Sequence, residues 1–250
     1  MEQHTIISEG SWYNIPQEQC ASFRREIGDR QRGRINNIGF FVTDTNEIRL
    51  FDKFLRQNIT AYFHADYNSG NAWQRISSIE NLIWTLKNDV NPFPHRLPNV
   101  QRQLKEILRQ DLPEILKRVR KNRLTVCVVP RSKADNRYRE DQLLFRATIH
   151  DLVQQLPNFE NGTKYIVRYK NTRTTHLDGN GQGGDGNLPY PGITKDTCRI
   201  SHHIRNKDIL LIDDLYTKSI NIDEDAIQAL LDNGANSVTF YSIAKTITWN

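Results

Sequence analysis

The chain has 250 residues, 37% of them hydrophobic and 25% charged, enough for one large domain or two small ones with a sizeable core, which excludes disorder as its whole state. Mean hydropathy is −0.66, and apolar runs are no longer than Leu124–Val129, far short of a bilayer-spanning helix, so no integral membrane segment is expected. Met1-Glu2-Gln3-His4 opens the chain without a basic cluster and a long apolar stretch, so no secretory signal and a cytoplasmic location are expected. Cys20, Cys127 and Cys198 are odd in number and form no CxxC pair, which argues for reduced thiols over a disulfide framework or a cysteine zinc site.

Charge is unevenly spread. Residues 96–139 hold 13 Lys or Arg against four acids, whereas residues 208–232 hold seven acids against the single base Lys218. A basic stripe opposite an acidic one suits a phosphorylated ligand held partly through a metal ion, although most charges on 100–123 also read as a solvated helix face.

In chain order, the first 95 residues carry 13 of the 23 aromatics and no steady strand–helix alternation. Ile76, Ile79, Ile83 and Leu86 are spaced for one amphipathic helix over 76–86, and Asn91-Pro92-Phe93-Pro94 then punctuates the chain. The boundary of an N-terminal accessory region, 1–95, is therefore placed near residue 95. Residues 100–110 predict a helix, and Asp111-Leu112-Pro113 predicts a restart with a capping acid and a first-turn proline, running to about 122.

Leu124–Val129 is a β-branched apolar run suited to a strand buried on both faces. A helix at about 141–155 follows, then a strand at Tyr165–Tyr169, a long Gly-rich segment, a strand at Ile209–Ile212, a helix at about 223–233 ending at Gly234, and a strand at Val238–Ile243. This alternation predicts an α/β domain over 96–250, a parallel sheet flanked by helices. In such sheets ligands bind beyond the carboxyl ends of the strands, which directs attention to Pro130–Lys133, to Lys170 onward and to Asp213–Asn221.

The last of these is the most informative. Ile209-Leu-Leu-Ile-Asp213-Asp214-Leu-Tyr-Thr217-Lys218-Ser219-Ile220-Asn221 puts two carboxylates at a strand tip, then a hydroxyl-bearing loop, then a helix opening Asp223-Glu224-Asp225. Loop amides beside a helix N-terminus form an anion site, and the paired acids can bond the vicinal hydroxyls of a sugar. These residues resemble the fingerprint of the type I phosphoribosyltransferases: four hydrophobic residues, two acids, two hydrophobic residues and a Thr-Thr-Gly-x-Thr-like loop. Ile227 to Thr239 also looks like that family's helix and next strand, and the resemblance, nearest the amidophosphoribosyltransferase and competence-protein branch, extends over 124–246.

The resemblance implies a Rossmann-like sheet and transfer of the phosphoribosyl group of phosphoribosyl pyrophosphate (PRPP) to a nitrogen nucleophile with release of diphosphate. It implies that Asp213 and Asp214 act at the ribose hydroxyls, directly or through the water shell of Mg²⁺. Thr217, Lys218, Ser219, Ile220 and Asn221 would cradle the 5-phosphate, and Arg131, Ser132 and Lys133 would hold the diphosphate. Lys218-Ser219 stands where the family has Thr-Gly and Asn221 where it has Thr or Ser; a serine there adds a Cβ where backbone must approach phosphate. Thr217 stands where some purine-using relatives carry a proton-accepting acid, so the base is unassigned. Residues 170–203 would form a closing flap, with Arg168, Lys170, Arg173 and Lys195 as candidates to reach the diphosphate.

Gly179-Asn-Gly181-Gln-Gly-Gly184 spells GxGxxG but is followed by Pro189 and Pro191 instead of a helix, so the dinucleotide reading fails. His202 and His203 lack a third ligand and read as surface residues. The second class of function is a non-catalytic PRPP- or nucleotide-binding regulator or effector, of a kind suspected in bacterial conflict and phage-defence systems, whose basic stripe contacts nucleic acid or an acidic protein. Self-association into a homo-oligomer is a further expectation.

Overall fold

The computed structural model describes residues 1–6, 12–14, 17–30, 32–35, 38–42, 48–51, 55–88, 94–172, 193, 197–218 and 222–247. Its elements before residue 95 are β1 (Glu2–Ile6), β2 (Trp12–Asn14), α1 (Gln17–Ile27), β3 (Arg32–Ile35), β4 (Ile38–Val42), β5 (Ile48–Phe51), β6 (Ile59–Tyr67) and α2 (Ile79–Lys87). Then come α3 (Leu97–Arg118), β7 (Leu124–Val128), α4 (Leu144–Val153), β8 (Phe159–Asn161), β9 (Ile166–Arg168), β10 (Cys198–Ile200), β11 (Asp208–Tyr216), α5 (Ile222–Asp232) and β12 (Ser237–Thr246).

Six strands form the central sheet in the order β1-β6-β12-β11-β7-β8, all parallel except the antiparallel edge strand β1. The expected α/β sheet flanked by helices is therefore present. Along β7, β11 and β12 successive side chains enter opposite layers. Leu124, Val126, Leu210, Ile212 and Tyr241 join the layer shared with α2, α3 and α4, while Cys127, Ile209, Leu211 and Phe240 join the layer under α5. This two-sided burial is what a continuous apolar strand predicts.

Four details of the sequence reading are corrected. The sheet crosses residue 95: β1 and β6 hydrogen-bond into it, and Leu82, Ile83 and Leu86 of α2 share one core layer with Leu104 and Leu108 of α3. The apolar faces of β6 and α2 gain burial only against that sheet. β2–β5 form a separate four-stranded antiparallel sheet, order β2-β5-β4-β3.

Second, α2 starts at Ile79, where the Ser78 side chain accepts from the Asn81 amide, and Ile76 is left 73% exposed. Third, the strand beside β7 is β8; Ile166–Arg168 instead pairs antiparallel with Cys198–Ile200 in a ribbon of its own. Fourth, α3 is one helix through Pro113, which lies on the exposed side, where water can satisfy the carbonyl that a proline cannot serve. Gly234 has φ 93° and ends α5 as expected: its amide and that of Ala235 donate back to Leu231 and Leu230.

Asp111 is no cap. It is 2% exposed and accepts from the Tyr241 hydroxyl at 2.8 Å, with His64 Nδ1 2.9 Å away, tying α3 to β12 and β6. Removing the carboxylate strands a buried hydroxyl and costs more than a net hydrogen bond. Asp111→Ala is expected to lower unfolding free energy by about 3 kcal/mol in urea titrations. Tyr241→Phe, which removes only one donor, should cost about 1 kcal/mol.

Candidate functional site

The site forms where β11 outruns β7. The β11–β7 ladder ends at Ile212↔Val128, whereas the β11–β12 ladder continues to Tyr216↔Lys245. The last hydrogen bond on the β7 side runs from the Val129 amide to the Ile212 carbonyl at 3.0 Å. From Asp213 onward the strand projects beyond its β7 neighbour, and the chain after β7 continues as Arg131–Lys133 at the carboxyl end of the sheet, the end where open α/β sheets bind ligands in a crevice. Asp213 and Asp214 thus lie within a strand, not after it.

Strand alternation separates the two acids. Asp213 faces α5, where its carboxyl hydrogen-bonds that of Asp223; Asp214 faces α2, with Oδ1 3.5 Å from Lys87 Nζ. Burial, then the charge of Asp214, push Asp213 up to about 7. Burial, then the charges of Asp213 and Glu224, raise Asp223 well above the carboxylate range. Both carboxyls thus stand above the ordinary carboxylate range, which favours the protonated form of the pair. Burial pulls the Lys87 ammonium down, but Asp214 and Asp213 outweigh it and hold its pKa above the ordinary value, so it stays cationic. Tyr67, at the end of β6, has its phenol raised by burial, with Glu80 and Asp214 adding to the effect against Lys87.

The loop after β7 is fastened to the same place. Arg131 Nη1 donates to the carbonyls of Lys87 and Gln142, each at 2.8 Å, and the guanidinium lies 4.4 Å from the Tyr138 ring centroid. Buried Arg168 donates through Nε to the Arg131 carbonyl at 2.6 Å. Lys133 Nζ donates to the Thr172 carbonyl at 2.9 Å, its amide donates to the Tyr138 hydroxyl at 3.0 Å, and the Ser132 carbonyl accepts from the Thr172 amide at 2.7 Å. Arg131 and Arg168 thus shape the crevice wall. On the far side the Thr217 and Thr246 hydroxyls are bonded at 2.8 Å, and Lys218 is exposed.

Lys87 links the two segments: its Nζ faces Asp214 and its carbonyl accepts from Arg131, with Ser132 and Lys133 next in the loop, while Thr217 directly follows the strand that carries the acids. Ser219, Ile220 and Asn221 lie outside the described residues, as do 173–192 and 194–196 of the expected flap. Lys87, Tyr67 and Asp223 are the site residues that sequence reasoning missed or left as part of a helix start. A lone lysine ending an amphipathic helix carries no local mark of a site; only the pairing of β6 with β12 brings α2 there.

Among the described residues, no three His, Cys, Asp or Glu side chains come together to hold a metal directly. Asp213 and Asp214 offer only oxygen, on two sides of one strand. A hydrated Mg²⁺ would therefore meet one of them at a time, and Asp214, beside Lys87 on the α2 side, offers the oxygen donor that this ion favours together with phosphate oxygens. His202 and His203 are exposed in a short turn, their rings 4.2 Å apart. Among the described residues no helix is long and apolar enough to cross a membrane. In comparisons with protein-family models, curated proteins and solved structures, none matches the chain.

The raised pair gives the site a pH signature. Asp213 keeps a proton in the fold that the unfolded chain releases above about pH 4, so its contribution to stability falls as pH rises from about 4 to about 7, and the raised Asp223 acts in the same direction. Asp223→Asn removes the like charge and keeps a donor. The variant should gain on the wild type in urea midpoint, and the gain should be larger at about pH 7.5 than at about pH 5. An equal gain at both would show that the pair holds no proton.

Proposed function

We propose that the chain is a phosphoribosyltransferase-like enzyme that binds PRPP with Mg²⁺ in this crevice and transfers the phosphoribosyl group to a nitrogen nucleophile, releasing diphosphate. The observation that carries the reading is the overhang of β11: two acids on a strand that outruns its neighbour, beside a loop fixed by Arg131 and a cation from Lys87. Asp213 and Asp214, which carry the match to the family fingerprint, lie on the part of β11 that β7 no longer flanks, where sugar hydroxyls could be reached. Asp214, already charge-balanced by Lys87, is the carboxylate best prepared to accept a hydrogen bond.

In such a transfer positive charge gathers at the ribose C1 while negative charge leaves with the diphosphate, so the protein needs positioned charges and amides, not a covalent nucleophile. The carboxylates of Asp213 and Asp214 would orient the ribose through its hydroxyls. Lys87, with the amides and side chains of 131–133, would face the departing diphosphate. Bound Mg²⁺ would supply charge neutralisation for the diphosphate oxygens, held through water by Asp214. The Lys218-Ser219 departure from Thr-Gly puts a charged side chain where the family has none, which favours a retuned phosphate loop. No described side chain is assigned as the base.

A diphosphate-release assay with PRPP, Mg²⁺ and a panel of nucleobases and amines tests the reaction, with release expected for at least one acceptor. Calorimetry tests the site. Asp213→Asn with Asp214→Asn should weaken PRPP by more than about tenfold with the fold kept by circular dichroism, and Lys87→Met should do the same while Lys87→Arg keeps most of the affinity. PRPP binding without turnover on any acceptor would favour the regulator reading. No PRPP binding by the wild type at millimolar concentration would remove both.

A further inference from the structure

The structure divides the basic segment 96–139 into two parts. Arg131, Lys133, Arg137 and Arg139 follow β7, where Arg131 and Lys133 bond backbone carbonyls and Arg139 pairs with Asp141, whereas Arg102 to Arg123 lie on α3 and the turn after it. Over 97–123 the exposed charged residues are Arg102, Arg109, Lys117, Arg118, Arg120 and Arg123 against Glu106 alone. Arg118 is spent on Glu114 at 2.8 Å and half-buried Lys121 on Asp208 at 3.0 Å. Arg102, half-buried Lys105, Arg109, Lys117, Arg120 and Arg123 make no ion pair among the described residues.

On a helical net Arg102, Lys105 and Arg109 fall within an arc of about 60°, and Lys117 lies about 60° beyond Arg102 and about 22 Å along the axis, with the acid Glu106 between them. Arg120, with φ 54°, and Arg123 follow in the turn after the helix. The surplus cations thus line one side of the helix, about a third of its circumference, with one acid among them.

We propose that this side of the helix is a docking surface for the phosphate backbone of double-stranded nucleic acid, separate from the crevice and bound without regard to sequence. Two observations select that occupant. The exposed positions of 97–123 include no aliphatic or aromatic side chain beyond Pro98 and Pro113, so the surface lacks the apolar anchors that a protein partner needs, while phosphate contacts need only cations and polar groups. A second copy of this chain is a poor complement: the acid-rich segment 208–232 has Asp223, Glu224 and Asp225 buried and Asp208 already paired with Lys121. A duplex carries a charge about every 1.7 Å along its axis, so a surface of this length spans many phosphates.

The test is fluorescence anisotropy of the full chain with labelled duplexes of about 20 base pairs, one DNA and one RNA, over about 50 to 200 mM salt, with polyglutamate as the acidic-polypeptide probe. The wild type should bind at low salt, with affinity falling linearly in log–log form. Arg102→Gln, Arg109→Gln and Lys117→Gln together should weaken binding more than about tenfold and flatten the slope by about 2 to 3, close to 0.9 per lost phosphate contact. The control Arg25→Gln, Lys164→Gln and Arg199→Gln changes net charge equally elsewhere and should keep most of the slope. The DNA and RNA arms identify which duplex binds more tightly, and either supports the surface. No duplex binding at low salt, equal losses in both triple variants, or polyglutamate binding as tight as the duplex would overturn it. PRPP affinity of the α3 variant should be unchanged, which keeps this surface distinct from the crevice.

Discussion

Everything at the crevice depends on one mismatch of length. β11 is held on both sides only as far as Ile212; beyond that β12 alone carries it for four more residues. A strand paired on one side keeps its direction and its alternation, so Asp213 and Asp214 are held rigidly yet sit where no further strand covers them. A β7 extended by three residues would fill the same place with ladder hydrogen bonds and leave no crevice. Pro130, directly after the run, marks where β7 stops pairing.

The alternation that fixes the acids also sets their electrostatics. Facing opposite layers, they are compensated differently: Asp214 by the Lys87 cation, Asp213 by protonation of its pair with Asp223. Neither solution favours folding. Buried like-charged carboxyls cost free energy, and a cation brought from another element is worth little beyond the charge it neutralises. The Arg131 bonds to the Lys87 and Gln142 carbonyls lock α2 to the crevice wall, so the compensating cation cannot drift from its acid.

Much of the fold was legible because buried parallel strands announce themselves. Leu124–Val129 and Ile209–Ile212 are continuous apolar runs, and Gly234 marks the end of α5. The loop signals around Asp213 and Arg131 were legible for the same reason: they follow such strands. What escaped was non-local. Ile59–Tyr67 lies among aromatics, and nothing short-range shows that it pairs with β12, so neither its place in the sheet nor Lys87 as a neighbour of Asp214 is legible in the sequence. Asp111-Leu112-Pro113 has the local form of a helix start, but burial of Asp111 against Tyr241 and His64 overrides it. Tyr165–Tyr169 has strand propensity, and it is a strand, but register with β7 belongs to Phe159–Asn161, whose polar composition hides it.

A crystal structure of the chain grown with PRPP and Mg²⁺ tests the central claim most directly. The account predicts density for the ligand in the crevice at the end of β7, with ribose hydroxyls within hydrogen-bond distance of the Asp213 or Asp214 carboxylate and the diphosphate between Lys87 and the 131–133 loop. Ligand bound elsewhere, or an empty crevice at saturating PRPP with the Asp213–Asp223 and Asp214–Lys87 contacts unchanged, would contradict it.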